Sequence, residues 1–276
     1  MTDSQSLWFI EVLCGRHSNE LIFRSELAII DRHLKAAGKP WKFYTSMAKL
    51  AHLWRDQSKD MFATWRRIHG DASAVRIALK MMPDCIASRW GSVDAVEARL
   101  EASGQALLLP VLQAVLQKPV VKAATEVETG VTSVVVLDDL SLEESKAHTQ
   151  KMGRWSRDVL LSTQDKTLFI IISATRRAHC PNMHFTHYMQ KTLPEDAYGE
   201  RMADLMYGKA RHIAGEFNEI VTDSGWWNAL LADAPGDDIS WLRLLMVTIV
   251  LHNAAAFHRR IVQPLEECAQ QWVTYW

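Results

Sequence analysis

The apolar residues of this chain return every three or four positions over segment after segment, and that period constrains the fold more than any other feature. Phe23, Leu27, Ile30 and Leu34 share one face of a helix expected over 18–37, which Gly38 and Pro40 end. Met47, Leu50, Ala51 and Trp54 form a second stripe, continued by Met61, Phe62, Trp65 and Ile68 as far as His69-Gly70. Further helices are expected over 72–82, from Ser92, and over 105–117, 141–162, 166–177, 183–190, 198–222, 226–231 and 239–271. Pro181 should separate two of these, and Pro264 should kink or end the last. Residues 7–14 read equally as a buried strand or as the first turns of a helix, and the β-branched run over 131–136 is strand-like. The expected fold class is therefore mostly α. It is a helical bundle of two lobes, 1–119 and 141–276, joined by a linker or short strand over 120–140.

Composition supports that class. A hydrophobic content of 48% with only 12 Gly and 8 Pro in 276 residues describes a globular, helical chain rather than a disordered or β-rich one. The 11 Trp are mostly packing residues at helical spacing, with Trp90 the candidate for a contact. The net charge of −1 excludes a uniformly basic nucleic-acid binder. The balance is uneven, however: Arg32 to Lys80 holds 11 Lys/Arg against 3 Asp, an excess of 8. Such a segment either attracts phosphate or is a solvated helical surface.

Cysteines at 14, 85, 180 and 268 are too widely spaced for a secretory disulfide framework, so reduced thiols and an intracellular location are expected. Residues 1–6 are too short and polar for a signal peptide. The most apolar run, Leu244 to Leu251, falls far short of the ~20 residues that cross a bilayer and is bounded by Arg243 and His252, so no membrane contact is expected.

In the stretch Asp84 to Leu100, Ser92 is a good N-cap, Asp94 suits a first turn, and Val93, Val96 and Leu100 fall on one face. A helix starting at Ser92 puts Arg89 and Trp90 beside unsatisfied backbone N–H groups, a place suited to a phosphate and a stacked base. The same pair reads also as a packed tryptophan with an arginine over its face.

Other constellations carry less chemistry. Cys14-x-x-His17 has ligand spacing but no second pair at finger spacing. Cys180, His184 and His187 fall near one helix face and are candidate metal ligands, or residues that cap and pack. No nucleophile elbow, phosphate loop or dinucleotide fingerprint occurs, and no cofactor is expected. The adjacent acids Asp138-Asp139, Glu143-Glu144 and Glu266-Glu267 diverge by ~100° on a helix and would not share a metal.

Cys14-x-x-His17 opening a helix, then Ser88-Arg89-Trp90-Gly91-Ser92 and Val96 to Leu100, in that order, resembles the hAT superfamily of DNA transposases over about residues 14–107. The resemblance implies a helical insertion domain with at most a short N-terminal strand remnant of an RNase H-like fold. It further implies that Trp90 stacks on a flipped or flanking base, that Arg89 supports the DNA backbone, and that Cys14 and His17 lie near the family's catalytic pocket. That family cleaves DNA with three acidic residues, two of them well upstream of the Cys-x-x-His. Only 13 residues precede Cys14 here, with Asp3 their sole aspartate, and no context matches the third acid or the C-terminal dimerisation signature. The expectation is a catalytically inactive, transposase-derived module in the nucleus. It would bind DNA through Arg66, Arg67, Arg89, Trp90 and His17, or bind nuclear proteins; the alternative is a helical protein-interaction scaffold without nucleic-acid contact.

Overall fold

The computed structural model describes residues 15–73, 82–83, 85, 90–116, 121–125, 132–136, 156–189 and 199–267. Helices dominate: α1 (Gly15–Ala36), α2 (Phe43–Asp56), α3 (Ser58–His69), α4 (Trp90–Ser103), α5 (Gln105–Leu116), α6 (Lys166–His187), α7 (Gly199–Thr222), α8 (Ser224–Leu231) and α9 (Ile239–Phe257). A helical segment over 156–164 precedes α6. Strands β1 (Val121–Thr125) and β2 (Thr132–Val136) pair antiparallel, Val121 opposite Val136, inside the 120–140 stretch.

Local chemistry sets several boundaries. Gly38, at φ 70°, ends α1 in the left-handed conformation, and the Lys39 amide turns back to the Leu34 carbonyl at 2.9 Å. Asp165 caps α6 by accepting from the Thr167 amide at 3.1 Å, and Asp223 caps α8 by accepting from the Trp226 amide at 3.1 Å.

Two expectations about helix ends are corrected. α4 begins at Trp90, so Ser92 lies inside its first turn rather than capping it; buried Val93, Val96 and Leu100 hold the helix, and packing outweighs cap preference. α6 is not broken at Pro181. Its face from Leu168 through Ile172, Thr175, Ala178 and Asn182 to Phe185 is buried on both sides of the proline, which holds the helical course despite the missing amide hydrogen. Downstream, α9 passes into a π-turn, His258–Val262, and helix resumes over 263–267. The wide turn lies where the Pro264 ring crowds the carbonyl four residues before it.

Of the other expected elements, 7–14, 74–81 and 141–155 lie outside the described residues.

α6 is the axis of the bundle, in contact with α1, α4, α7, α8 and α9. One hydrophobic cluster runs from Phe23 and Ile30 through Val96 and Leu100 to Ile171, Phe185, Phe217, Leu245 and Phe257. Phe257 meets Phe185 edge-on at 5.6 Å and Phe217 at 5.7 Å between ring centroids, which closes α6, α7 and α9 on each other. The segment Gly236–Glu267 is long and apolar enough to cross a membrane by length and composition, a property that the core helix of a soluble bundle shares. Here Leu242, Leu245, Met246, Ile249 and Val250 of that segment are buried among α1, α6 and α7, while Leu244 and Leu251 are exposed.

Candidate functional site

The apolar stripes that build the bundle carry a few polar residues into its centre. Glu26 lies on the α1 face of Phe23, Leu27 and Ile30; Glu97 lies on the α4 face of Val93 and Leu100. With Thr175 and His179 of α6 and Asn253 of α9, both are fully buried. His179 Nε2 stands 2.5 Å from Glu26 Oε2, and Asn253 Nδ2 donates to the same oxygen at 3.1 Å. Thr175 Oγ1 donates to Glu97 Oε1 at 3.1 Å, and the Phe23 ring meets the imidazole edge-on at 5.5 Å.

Charge in this centre is set by burial against pairing. Burial alone would lower His179, but the Glu26 carboxylate, by charge and hydrogen bond, and Glu97 beyond it outweigh that and raise it above the ordinary imidazole value. Glu97 is pushed up to about 8, first by burial, with His179 lowering and Glu26 and Asp94 raising it. At neutral pH the raised Glu97 carboxyl therefore favours its protonated form, beside the hydrogen-bonded Glu26–His179 pair. Glu26 Oε1, Glu97 Oε2, Asn182 Oδ1 and Asn253 Oδ1 have no hydrogen-bond partner among the described residues.

These groups couple α1, α4, α6 and α9 from inside the core. Metal-assisted strand cleavage needs carboxylates converging on an open site. Among the described residues, no three His, Cys, Asp or Glu side chains are arranged to hold a metal ion.

Within the basic excess of 32–80, Lys39 and Lys49 are paired in space with acids distant in sequence. Lys39 Nζ bridges Asp238 at 2.8 Å and Asp165 at 3.1 Å, with the Trp241 ring beneath it at 5.8 Å. The Trp41 indole N–H donates to the same Asp165 at 3.0 Å. Lys49 pairs with Asp158 at 2.5 Å, and Arg55 approaches Asp56 at 3.8 Å. These contacts leave the solvent side of α3, where Lys59, Ala63, Arg66 and Arg67 are exposed at one- and two-turn spacing. Arg66 is paired with Asp71.

Of the residues singled out from sequence, Arg66 and Arg67 are thus together and exposed. Trp90 opens α4 and His17 lies in the first turn of α1, but neither side chain is among those described, and Arg89 and Cys14 lie outside the described residues. Cys180 and His184 are brought together, Sγ to Nε2 at 3.4 Å, and His184 Nδ1 meets Glu216 of α7 at 2.6 Å. His187, expected beside them, does not complete a metal cluster.

The sequence reading placed His179 only in the His179–His187 cluster weighed for metal, and missed its pairing with Glu26 as well as Glu97, Asn253 and the Lys39 bridge. The available signal for Glu26 and Glu97 was a carboxylate on an otherwise apolar stripe. Comparison of the chain with protein-family models, with curated proteins and with solved structures gave no match.

Proposed function

We propose that this protein is a non-catalytic helical module, of the kind the hAT resemblance implies, that contacts the DNA backbone in the nucleus. The observation that carries the reading is the solvent face of α3, which presents Lys59, Arg67 and Arg66, the last in an exposed pair with Asp71, within about two turns, away from the cations consumed by Asp158, Asp165 and Asp238. A short cationic face of this kind neutralises phosphates without reading bases. In the same reading the Glu26–His179 centre is structural, closed to a substrate by the four helices that supply it.

The test is fluorescence anisotropy of a labelled duplex. Binding at ~50 mM salt that collapses by ~200 mM supports backbone contact. No binding at the lower salt rejects it.

A second reading, the protein-interaction scaffold, is favoured by Leu244 and Leu251, 60% and 55% exposed and seven residues apart on α9. Seven residues bring them to one side of the helix, and burying two leucines against a partner would contribute a few kcal/mol, at roughly 1.5–3 kcal/mol each. A salt-insensitive protein complex lost on Leu244→Ser with Leu251→Ser would select this reading over the first.

A further inference from the structure

The geometry points to Cys180 as a modification site: a surface thiol, aligned with His184 and Glu216, that attacks low-molecular-weight disulfides to form a mixed disulfide. Cys180 and His184 are one turn apart on α6, so they share a face, and Glu216 reaches the ring from α7. A carboxylate accepts only, so in the neutral ring the His184 proton sits at Nδ1, 2.6 Å from Glu216 Oε2. Nε2 is left with its lone pair facing Cys180 Sγ at 3.4 Å. Nucleophile, base and orienting acid thus stand in the order that activates a thiol or hydroxyl elsewhere.

The site is open on one side. The His184 side chain is 53% exposed and the thiol is half-buried. The charges that act on the sulfur are Glu216 from α7, Arg176 and Arg177 from its own helix, and Asp94 from α4. Both arginines are engaged, Arg176 with Glu101 and Arg177 with Asp223 at 3.5 Å. Burial first, then the Glu216 charge, hold the thiol above its ordinary value. The sulfur therefore keeps its proton at neutral pH until a base removes it, and His184 is the base within reach.

The step balances without a further reagent. As Sγ attacks one sulfur of the disulfide, its proton passes to His184 Nε2 and a new S–S bond forms. The old S–S bond breaks, its electron pair leaves with the departing thiolate, and the imidazolium returns the proton to that thiolate. The thiol is oxidised, the incoming disulfide is reduced, and one free thiol is released. Cys85 is the natural contrast. Burial, with Glu97 adding to it, pushes its thiol up to about 12.

The experiment treats the full-length protein with oxidised glutathione at pH 7 and follows each cysteine by peptide mass mapping. Cys180 should react far ahead of Cys85. His184→Gln should slow Cys180 about a hundredfold, the low end of general-base assistance. Glu216→Ala separates the proposal from simple electrostatics. Removing a negative charge beside a thiol would by itself speed the reaction, whereas loss of the group that orients His184 should slow it. A variant in which Cys85 also becomes fast has lost its core packing, and the wild-type pH profile then decides. A rate that levels once the imidazole is neutral supports the relay; one that climbs about tenfold per pH unit to the thiol's own ionisation overturns it. An unchanged rate in His184→Gln, or a faster one in Glu216→Ala, overturns it equally.

Discussion

Glu26 Oε2 receives both His179 Nε2, at 2.5 Å, and Asn253 Nδ2, at 3.1 Å, so a single carboxylate oxygen joins α1 to α6 and α9 where none of the three side chains reaches water. Removing one member leaves the others buried and unpaired, which costs more than the pair itself contributes. Glu26→Ala is expected to destabilise the fold by about 3–5 kcal/mol in urea titration. Glu26→Met combined with His179→Leu should cost less than either single truncation, because no uncompensated charge then stays in the core. Strict additivity of the two single changes would show that the groups do not interact.

Stability should fall as pH rises from about 5 to 8. Glu97 ionises near 4.5 in an unfolded chain and at about 8 in the fold, so the folded state holds the extra proton across that window, and stability is lost as it leaves. His179, raised above 6.5, contributes stability fully below that value and loses it as pH rises through its folded value, which is the same direction. Asp165 works oppositely. Burial opposes its charge, but hydrogen bonds from Thr167, Lys39 and Trp41 outweigh that and hold it low, so its contribution is present above 3.8 and lost toward stronger acid. Thermal melts across pH should place the maximum at about 4–5, with a loss on the order of 4 kcal/mol by pH 8, mostly from Glu97. In Glu97→Gln much of that slope should vanish, and a stability rising toward pH 8 would contradict the assignment.

Lys39 holds the end of α1 to the start of α6 and of α9 through Asp165 and Asp238. The Lys39 side chain is 16% exposed, so the pairs are neither dry nor fully screened. Lys39→Met should cost roughly 1–3 kcal/mol in urea titration, since two carboxylates lose their shared cation. A change within ~0.5 kcal/mol would place Lys39 among ordinary surface charges.

How much of this was legible beforehand depended on the scale of the pattern. The stripes at 23–34 and 47–65 predicted α1, α2 and α3, because burial on one face writes itself into every turn. Pro181 misled because the rule that proline breaks a helix is local, whereas the buried face of α6 on both sides is tertiary. The charge excess of 32–80 was visible, but its use was not. Asp158, Asp165 and Asp238 lie 109 to 199 residues from the lysines they meet, and no window along the chain joins them. Glu26, Glu97 and His179 were hidden for the same reason, each being a single polar residue whose partner stands on another helix.

The absence of an open carboxylate cluster among the described residues leads to a further expectation. Incubation of the protein with nicked or hairpin-ended DNA and magnesium or manganese should leave the strands intact. Glu266, which accepts from the Tyr207 hydroxyl at 3.1 Å, and Glu267, which accepts from Gln263 at 3.0 Å, are the acids to examine if it does not. Nicking abolished by Glu266→Gln or Glu267→Gln would overturn the proposal of a non-catalytic module.

The most direct test of the account is the salt dependence of duplex binding, measured for the wild type and for Arg66→Ala with Arg67→Ala. Three phosphate contacts from Lys59, Arg66 and Arg67 predict a slope of log K against log salt of about −3, and loss of two should flatten it by about 2. Both side chains are exposed, so the double variant should melt like the wild type. Weaker binding with the flattened slope is the predicted result; an unchanged slope, or a wild-type affinity indifferent to salt, would contradict DNA contact through α3.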